Sequence, residues 1–193
     1  MTHSDDIYAF VLKGDVAQGA VNRDLARSDG KPVDAEKRIT DAMPQDLLDD
    51  NNLLSASKMG IVYTTIAAFE NSARKFIQDR LIEEYGADWW EKKVPSKIRT
   101  NADKRRTDEA NHRYHGSRGS SMIYYTQMGD LAAILGANET AFSDYIPSTE
   151  WARQLFKAVE RSRNVIMHSG ELSMDDIQRV GMNIRDWLQQ VGG

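Results

Sequence analysis

From Met59 to Ile77 apolar residues recur at intervals of three and four: Met59, Val62, Ile66, Phe69, Ala73, Phe76 and Ile77. At 3.6 residues per turn these positions form one stripe, and a stripe of that length has to be buried against other elements. The pattern predicts a long helix running to about Tyr85, where Gly86 supplies a C-terminal stop. Two more amphipathic patterns close the chain. "PSTEWARQLFKAVERSRNVIMH" opens with Pro147, Ser148 and Glu150; in "LSMDDIQRVGMNIRDWLQQV", Ser173 is followed three residues on by Asp176, the spacing of a capping box. A polar, basic helix is expected from Ser96 to about His112 and a short one from about Met128 to Leu135, closed by Gly136. Another short helix is expected in "NETAFSDYI", with Asn138 as its cap. β-branched clusters alternating with period two are almost absent. The fold class that follows is all-α: a bundle of four main helices plus short helices, with an N-terminal helical extension.

At 193 residues the chain suits one sizeable core with an extension. Residues 1–52 carry a weak pattern, a short apolar helix candidate around Ile7 to Leu12 and then the polar, turn-rich "ARSDGKPVDAEKR". They are expected to form an acidic arm or helical extension, with the main domain at 53–193. "ADWWEKKVPSK" makes a corner in which Trp89 and Trp90 are read as anchors, base stacking being the lesser alternative. "HGSRGSS" is a flexible loop by composition.

The absence of cysteine excludes disulfides, a thiolate nucleophile and cysteine-ligated zinc. No window has the length of a membrane span and the first residues lack a basic, apolar leader, so a cytoplasmic protein with no membrane partner is expected. The net charge of −4 hides an asymmetry. Residues 1–51 hold 11 acids against 6 bases, whereas residues 92–118 hold nine bases against Asp103, Asp108 and Glu109, a local charge of +6. A polyanion would be held there. Lys104, Arg105, Arg106, Arg113, His115 and Arg118 are the candidate RNA-binding residues, with a solvated helix carrying its own acids as the alternative. His112 and His115 with Asp108 find no further ligand at suitable spacing, so no metal is expected.

One stretch near the chain end concentrates chemistry. "RSRNVIMHSG" sets Arg163, Asn164 and His168 just before a Ser-Gly stop. Arg163 and His168 stand five apart, about 140° around a helix, a poor arrangement for meeting within one chain. Glu160, Asn164 and His168 stand four apart on one ridge with Arg163 on its flank. A second copy of the helix across a two-fold axis would bring arginine and histidine together. The alternative is that Arg163 and His168 are helix-end cations interacting with the dipole, with Gly170 as the stop. Glu70 interrupts the long apolar stripe and needs a partner, either as a counter-ion that positions Arg163 or His168, or in an i,i+4 pair with Arg74.

"RNVIMH" resembles the Arg-polar-x-x-x-His motif of the HEPN superfamily, all-helical domains found in toxins, CRISPR effector nucleases and other RNA-cleaving proteins. "AFENSARKFIQDRLIEEYGADWW", "MGDLAAIL" and "RNVIMHSGELS", in that order, resemble the branch named for a nuclear-pore-associated RNA surveillance endonuclease. The resemblance runs from about Ser55 to Val191 and implies a HEPN-like bundle whose motif arginine and histidine act across a homodimer, without metal, on single-stranded RNA. Carried onto this sequence it makes Arg163, Asn164 and His168 catalytic candidates, with Glu70 beside them.

The residue types suit that chemistry. RNA brings its own nucleophile, the ribose 2′-hydroxyl, so a proton acceptor, a proton donor and charge stabilisation at phosphorus suffice. Histidine titrates near neutrality, and arginine's planar fork fits phosphoryl oxygens. The expectation is a metal-independent endoribonuclease, with no cofactor, acting as a toxin or effector in a toxin-antitoxin or anti-phage defence system and restrained by a cognate antitoxin or inhibitor protein. Many HEPN toxins carry a tyrosine two residues beyond the histidine that a partner nucleotidyltransferase modifies; Ser169 and Gly170 stand here, so silencing by that route is not expected. Two other readings stay open: a non-catalytic HEPN module that binds RNA or a partner protein, and an inhibitor or scaffold whose acidic arm occupies a basic cleft.

Overall fold

The computed structural model describes residues 32–112 and 114–192. Among them are eight α-helices, two 3-10 turns and no strand. The fold is all-α. No helix among the described residues is long and apolar enough to cross a membrane. The chain divides into two units, Met1–Leu53 and Leu54–Gly193.

In the first unit α1 spans Pro32–Ala42 and a 3-10 turn spans Gln45–Leu47. The stretch Ala26 to Arg38, expected to be a polar turn, is therefore helical from Pro32 onward. Proline is tolerated at a helix's first position because the N–H it lacks has no intrahelical partner there, and Ala35, Glu36, Lys37 and Arg38 all favour helix. The helix candidate at Ile7 to Leu12 lies outside the described residues. Ile39, Met43, Leu47 and Leu48 are exposed.

In the second unit the apolar stripe behaves as its spacing requires. The long helix α2, Asp50–Tyr85, buries Met59, Val62, Ile66, Phe69, Ala73, Ile77 and Leu81. It stops at Gly86, whose φ of 75° is left-handed and whose N–H donates to the Ile82 carbonyl at 2.8 Å. The corner is a five-residue helix, α3, Trp89–Lys93. Trp89 and Trp90 are both buried, edge to face at 5.4 Å, and anchor it. The basic helix α4 spans Ser96–Asn111, and a 3-10 turn at Met122–Tyr125 leads into α5, Met128–Ala137.

Two sequence expectations fail in this region. α5 continues through Gly136 to Ala137. Asn138 precedes the short helix α6, Glu139–Phe142, yet makes no side-chain cap to it. Its buried amide instead donates backward to the carbonyls of Ile134 at 2.8 Å and Lys93 at 3.1 Å, so it closes α5 and ties it to the corner. A buried amide has to be satisfied, and the carbonyls left over at the end of α5 are the nearest acceptors.

α7, Thr149–Met167, and α8, Met174–Val191, complete the bundle. Ser148 caps α7 by accepting from the Trp151 N–H, and Ser173 with Asp176 forms the expected capping box on α8. α5 packs along α7, and α7 along α8. The core centres on Trp187 of α8, fully buried, stacked on Trp151 at 6.0 Å and edge to face with Phe69 and Phe76 of α2. Each such aromatic pair contributes roughly 0.5–1.5 kcal/mol beyond the area it buries.

α7 ends just before Ser169 and Gly170, where a Ser-Gly stop is expected. The residue in the left-handed region is Ser169, with φ 60°, and not Gly170. The Gly170 N–H donates to the Val165 carbonyl at 2.8 Å and the Ser169 N–H to that of Ile166 at 2.9 Å, which is a Schellman motif with Ser169 one place past the cap. Gly170 matters for space, since a Cβ there would meet Val165 Cγ1 at 2.8 Å. Ser169→Gly relieves the left-handed strain but loosens the unfolded chain, for a net stabilisation of about 0.5 kcal/mol. Urea unfolding of the variant is expected to show a raised midpoint; a lowered one would mean that the serine side chain stabilises this turn.

Candidate active site

Three side chains within about one turn of α2, Glu70, Asn71 and Arg74, face residues of α7 across a polar cleft of about 500 Å3. Glu70 is only 8% exposed. A carboxylate that deeply placed has to be paired, and Glu70 is paired twice. One oxygen accepts from Arg74, and the other lies 3.5 Å from Arg163 Nε. Both sequence alternatives for Glu70, a helix-internal pair and a counter-ion for Arg163, are thus realised by its two oxygens.

Arg74 spreads its fork further. It donates to Asn71 Oδ1 at 2.9 Å and to the Thr126 carbonyl at 3.1 Å, which fixes the segment leading into α5. Arg163 also donates to Asn164 Oδ1 at 3.4 Å. The result is a continuous polar chain from Thr126 through Arg74, Glu70 and Arg163 to Asn164, with two guanidiniums on one carboxylate and a net positive charge. An anion entering the cleft meets donors already oriented.

His168 stands elsewhere. It is the C-cap of α7, with φ −100° and ψ 24°, one turn beyond Asn164, whose carbonyl accepts its N–H at 3.1 Å. It is exposed and does not line the cleft, while Glu160, Arg163 and Asn164 do. Within one chain the structure therefore unites Glu70, Arg163 and Asn164 and leaves His168 apart, beside the exposed apolar Val165 and Met167.

The basic residues divide in the same way. Arg118 lines the cleft. Glu109 holds it there, accepting from the Arg118 backbone N–H at 3.1 Å and lying 3.6 Å from its Nε. Glu109 also accepts from the Tyr125 hydroxyl at 2.7 Å; that bond, with burial, pushes the phenol above its ordinary value. Arg105 turns inward, donating to the Tyr125 carbonyl at 2.7 Å and to Asp130 at 3.1 Å, and so pins α4 to the start of α5. Lys104 and His115 are exposed away from the cleft, Arg106 is exposed with one nitrogen 3.4 Å from Met122 Sδ, and Arg113 lies outside the described residues.

Gln127, Thr126, Tyr63 and Tyr124 also line the cleft, and no local pattern marks any of them for a role there. Glu109 is one of three acids inside the basic run, and its spacing does not mark it out from Asp103 and Asp108. Among the described residues no group of three or more histidine, aspartate or glutamate side chains is placed to hold a metal.

No curated protein and no solved structure matches the chain. A family model does: that of the Swt1-like HEPN domain, over residues 65–192, which is 128 of the 193 residues and takes in every cleft element from Glu70 to Asn164. HEPN domains are generally ribonucleases or otherwise RNA-related. With an all-α bundle, a polar cleft between α2 and α7 and the Arg163 to His168 motif at the end of α7, the chain belongs to the Swt1-like HEPN family.

Proposed function

We propose that this protein is a metal-independent endoribonuclease that cleaves single-stranded RNA as a homodimer, and that it serves as a toxin or effector in a toxin-antitoxin or anti-phage system under the control of an inhibitor protein. The observation that carries the reading is Arg163, held at the cleft by the buried Glu70 with Asn164 beside it. A guanidinium fixed in that way is preorganised for a phosphoryl group.

Among the described residues no imidazole lines the cleft of one chain, and His168 sits exposed at the adjoining helix end with Val165 and Met167. Pairing two copies over that apolar end would cover those side chains and bring two imidazoles to a shared strand. One would take the 2′-hydroxyl proton while the oxygen attacks phosphorus; the other would protonate the departing 5′-oxygen. The products are a 2′,3′-cyclic phosphate and a 5′-hydroxyl end. The basic edge formed by Arg118 and α4 would hold the flanking strand.

The test uses the purified full chain with end-labelled single-stranded RNA and DNA of the same sequence, in EDTA. RNA is expected to be cut to cyclic-phosphate ends while the DNA survives. Cleavage of DNA, loss of activity in EDTA, or intact RNA would each overturn the assignment. A non-catalytic RNA-binding module is the second reading, favoured by the separation of His168 from the cleft; it predicts RNA binding without cyclic phosphate and indifference to His168→Ala.

A further inference from the structure

We propose that the cleft beside Arg163 binds a guanine base of the RNA strand, with the Glu160 carboxylate accepting from its Watson–Crick edge. This rests on the ribonuclease reading and specifies its substrate. Arg74, Arg118 and Arg163 can only donate. Both Glu70 oxygens face arginines, the Asn71 and Asn164 side-chain oxygens accept from Arg74 and Arg163, and the Thr126 carbonyl accepts from Arg74. Those acceptors are engaged.

Of the two carboxylates on this wall, Glu70 is held by arginines and Glu160 is not. Glu160 lines the cleft, half-buried, and has no ion-pair partner among the described residues. One oxygen accepts a long bond from the Gly129 N–H at 3.4 Å, and the other accepts none from the described residues. A carboxylate in this state repels a phosphate next to it, so in an RNA site it needs donors from the ligand. Among the four bases guanine alone presents two adjacent donors, N1–H and the 2-amino group, which match two carboxylate oxygens. Adenine and cytosine set a donor beside an acceptor, and uracil flanks its single donor with two acceptors. Each of these opposes a lone pair to the carboxylate.

The other edge groups agree. Guanine O6 needs a donor, and the side-chain amides of Gln127 and Asn164 stand in the same wall. Tyr63 and Tyr124 border the same cleft, and tyrosine is a side chain on which bases stack. A cleft of about 500 Å3 falls within the size range of small-ligand sites. With the base seated there, the adjoining phosphates lie within the reach of arginines already oriented.

The experiment is calorimetric titration of the full-length protein with GMP, IMP, AMP, CMP and UMP. GMP is expected to bind about tenfold or more tighter than AMP, CMP or UMP, since a bidentate base contact discriminates by that order. IMP, which lacks the 2-amino group, is expected between them. Glu160→Gln replaces one acceptor with a donor and is expected to abolish the preference; should the variant fail to fold, the wild-type nucleotide series decides. Equal affinity for all nucleotides, no binding of any, or a GMP preference unchanged in Glu160→Gln would overturn the proposal. RNA left uncut while the GMP preference stands would remove the nuclease reading and keep the base site. RNA cut alike beside all four bases would keep the nuclease and remove the base site.

Discussion

Replacing His168 with alanine is expected to lower cleavage of single-stranded RNA by about a thousandfold, and Arg163→Ala to cost a similar factor. The first figure follows from losing a positioned proton-transfer group, worth roughly 10²–10⁴ in rate. The second follows from losing a preorganised donor to the charge developing at phosphorus, worth roughly 10²–10³ or more when the donor is a full cation. His168 is exposed at the end of α7, so its truncation should change folding stability by no more than about 0.5 kcal/mol. The His168 variant thus separates chemistry from folding. Cleavage in EDTA is read on a labelled oligonucleotide, with circular dichroism confirming the bundle. Either variant retaining activity within tenfold of the parent would remove that residue from the mechanism.

Glu70→Ala is expected to be the most destabilising change at the cleft, by about 3 kcal/mol. Glu70 and Arg74 have side chains only 10% and 11% exposed, so alanine would leave the Arg74 guanidinium buried with no carboxylate. Breaking a buried pair by removing one partner costs roughly 3–5 kcal/mol. The lower end applies because Arg163, at 34% exposed, can turn to water. Glu70→Gln keeps an acceptor of the same shape and is expected to fall between the two. Activity should drop in both variants, because Arg163 loses the group that orients it. Urea unfolding decides the stability figure. A loss below 1 kcal/mol would reduce Glu70 to an ordinary helix-surface pair, whose worth is a few tenths of a kcal/mol.

Much of the helical framework was legible because its causes are local. The stripe from Met59 to Ile77, the stop at Gly86 and the caps at Ser148 and Ser173 each depend on residues within a few positions of one another. The errors are instructive for the same reason. Gly136 reads as a stop and Asn138 as an N-cap, but Asn138 answers to the Lys93 carbonyl, 45 residues away, and closes the preceding helix. The Ser-Gly stop falls where it reads, while which of the two residues turns left-handed, Ser169, is set by the last hydrogen-bonded turn of α7.

The sequence by itself determined that the chain is helical, where its main helices stop and start, and that Arg163, Asn164 and His168 share one helix end. Periodicity and capping are set by short-range backbone geometry, so they are written in neighbouring residues. Only the tertiary structure decided that Glu70 would bridge Arg74 and Arg163 and that Glu109 would fix Arg118 at the cleft. It also decided that Arg105 would turn inward, and that His168 would stand outside the cleft of its own chain. Those outcomes depend on the packing register of α2 against α7 and of α4 against α5. For α2 and α7 that register follows from how the aromatic core around Trp187 fills its space, and for α4 and α5 from contacts such as Arg105 on Asp130, in neither case a property of a single segment.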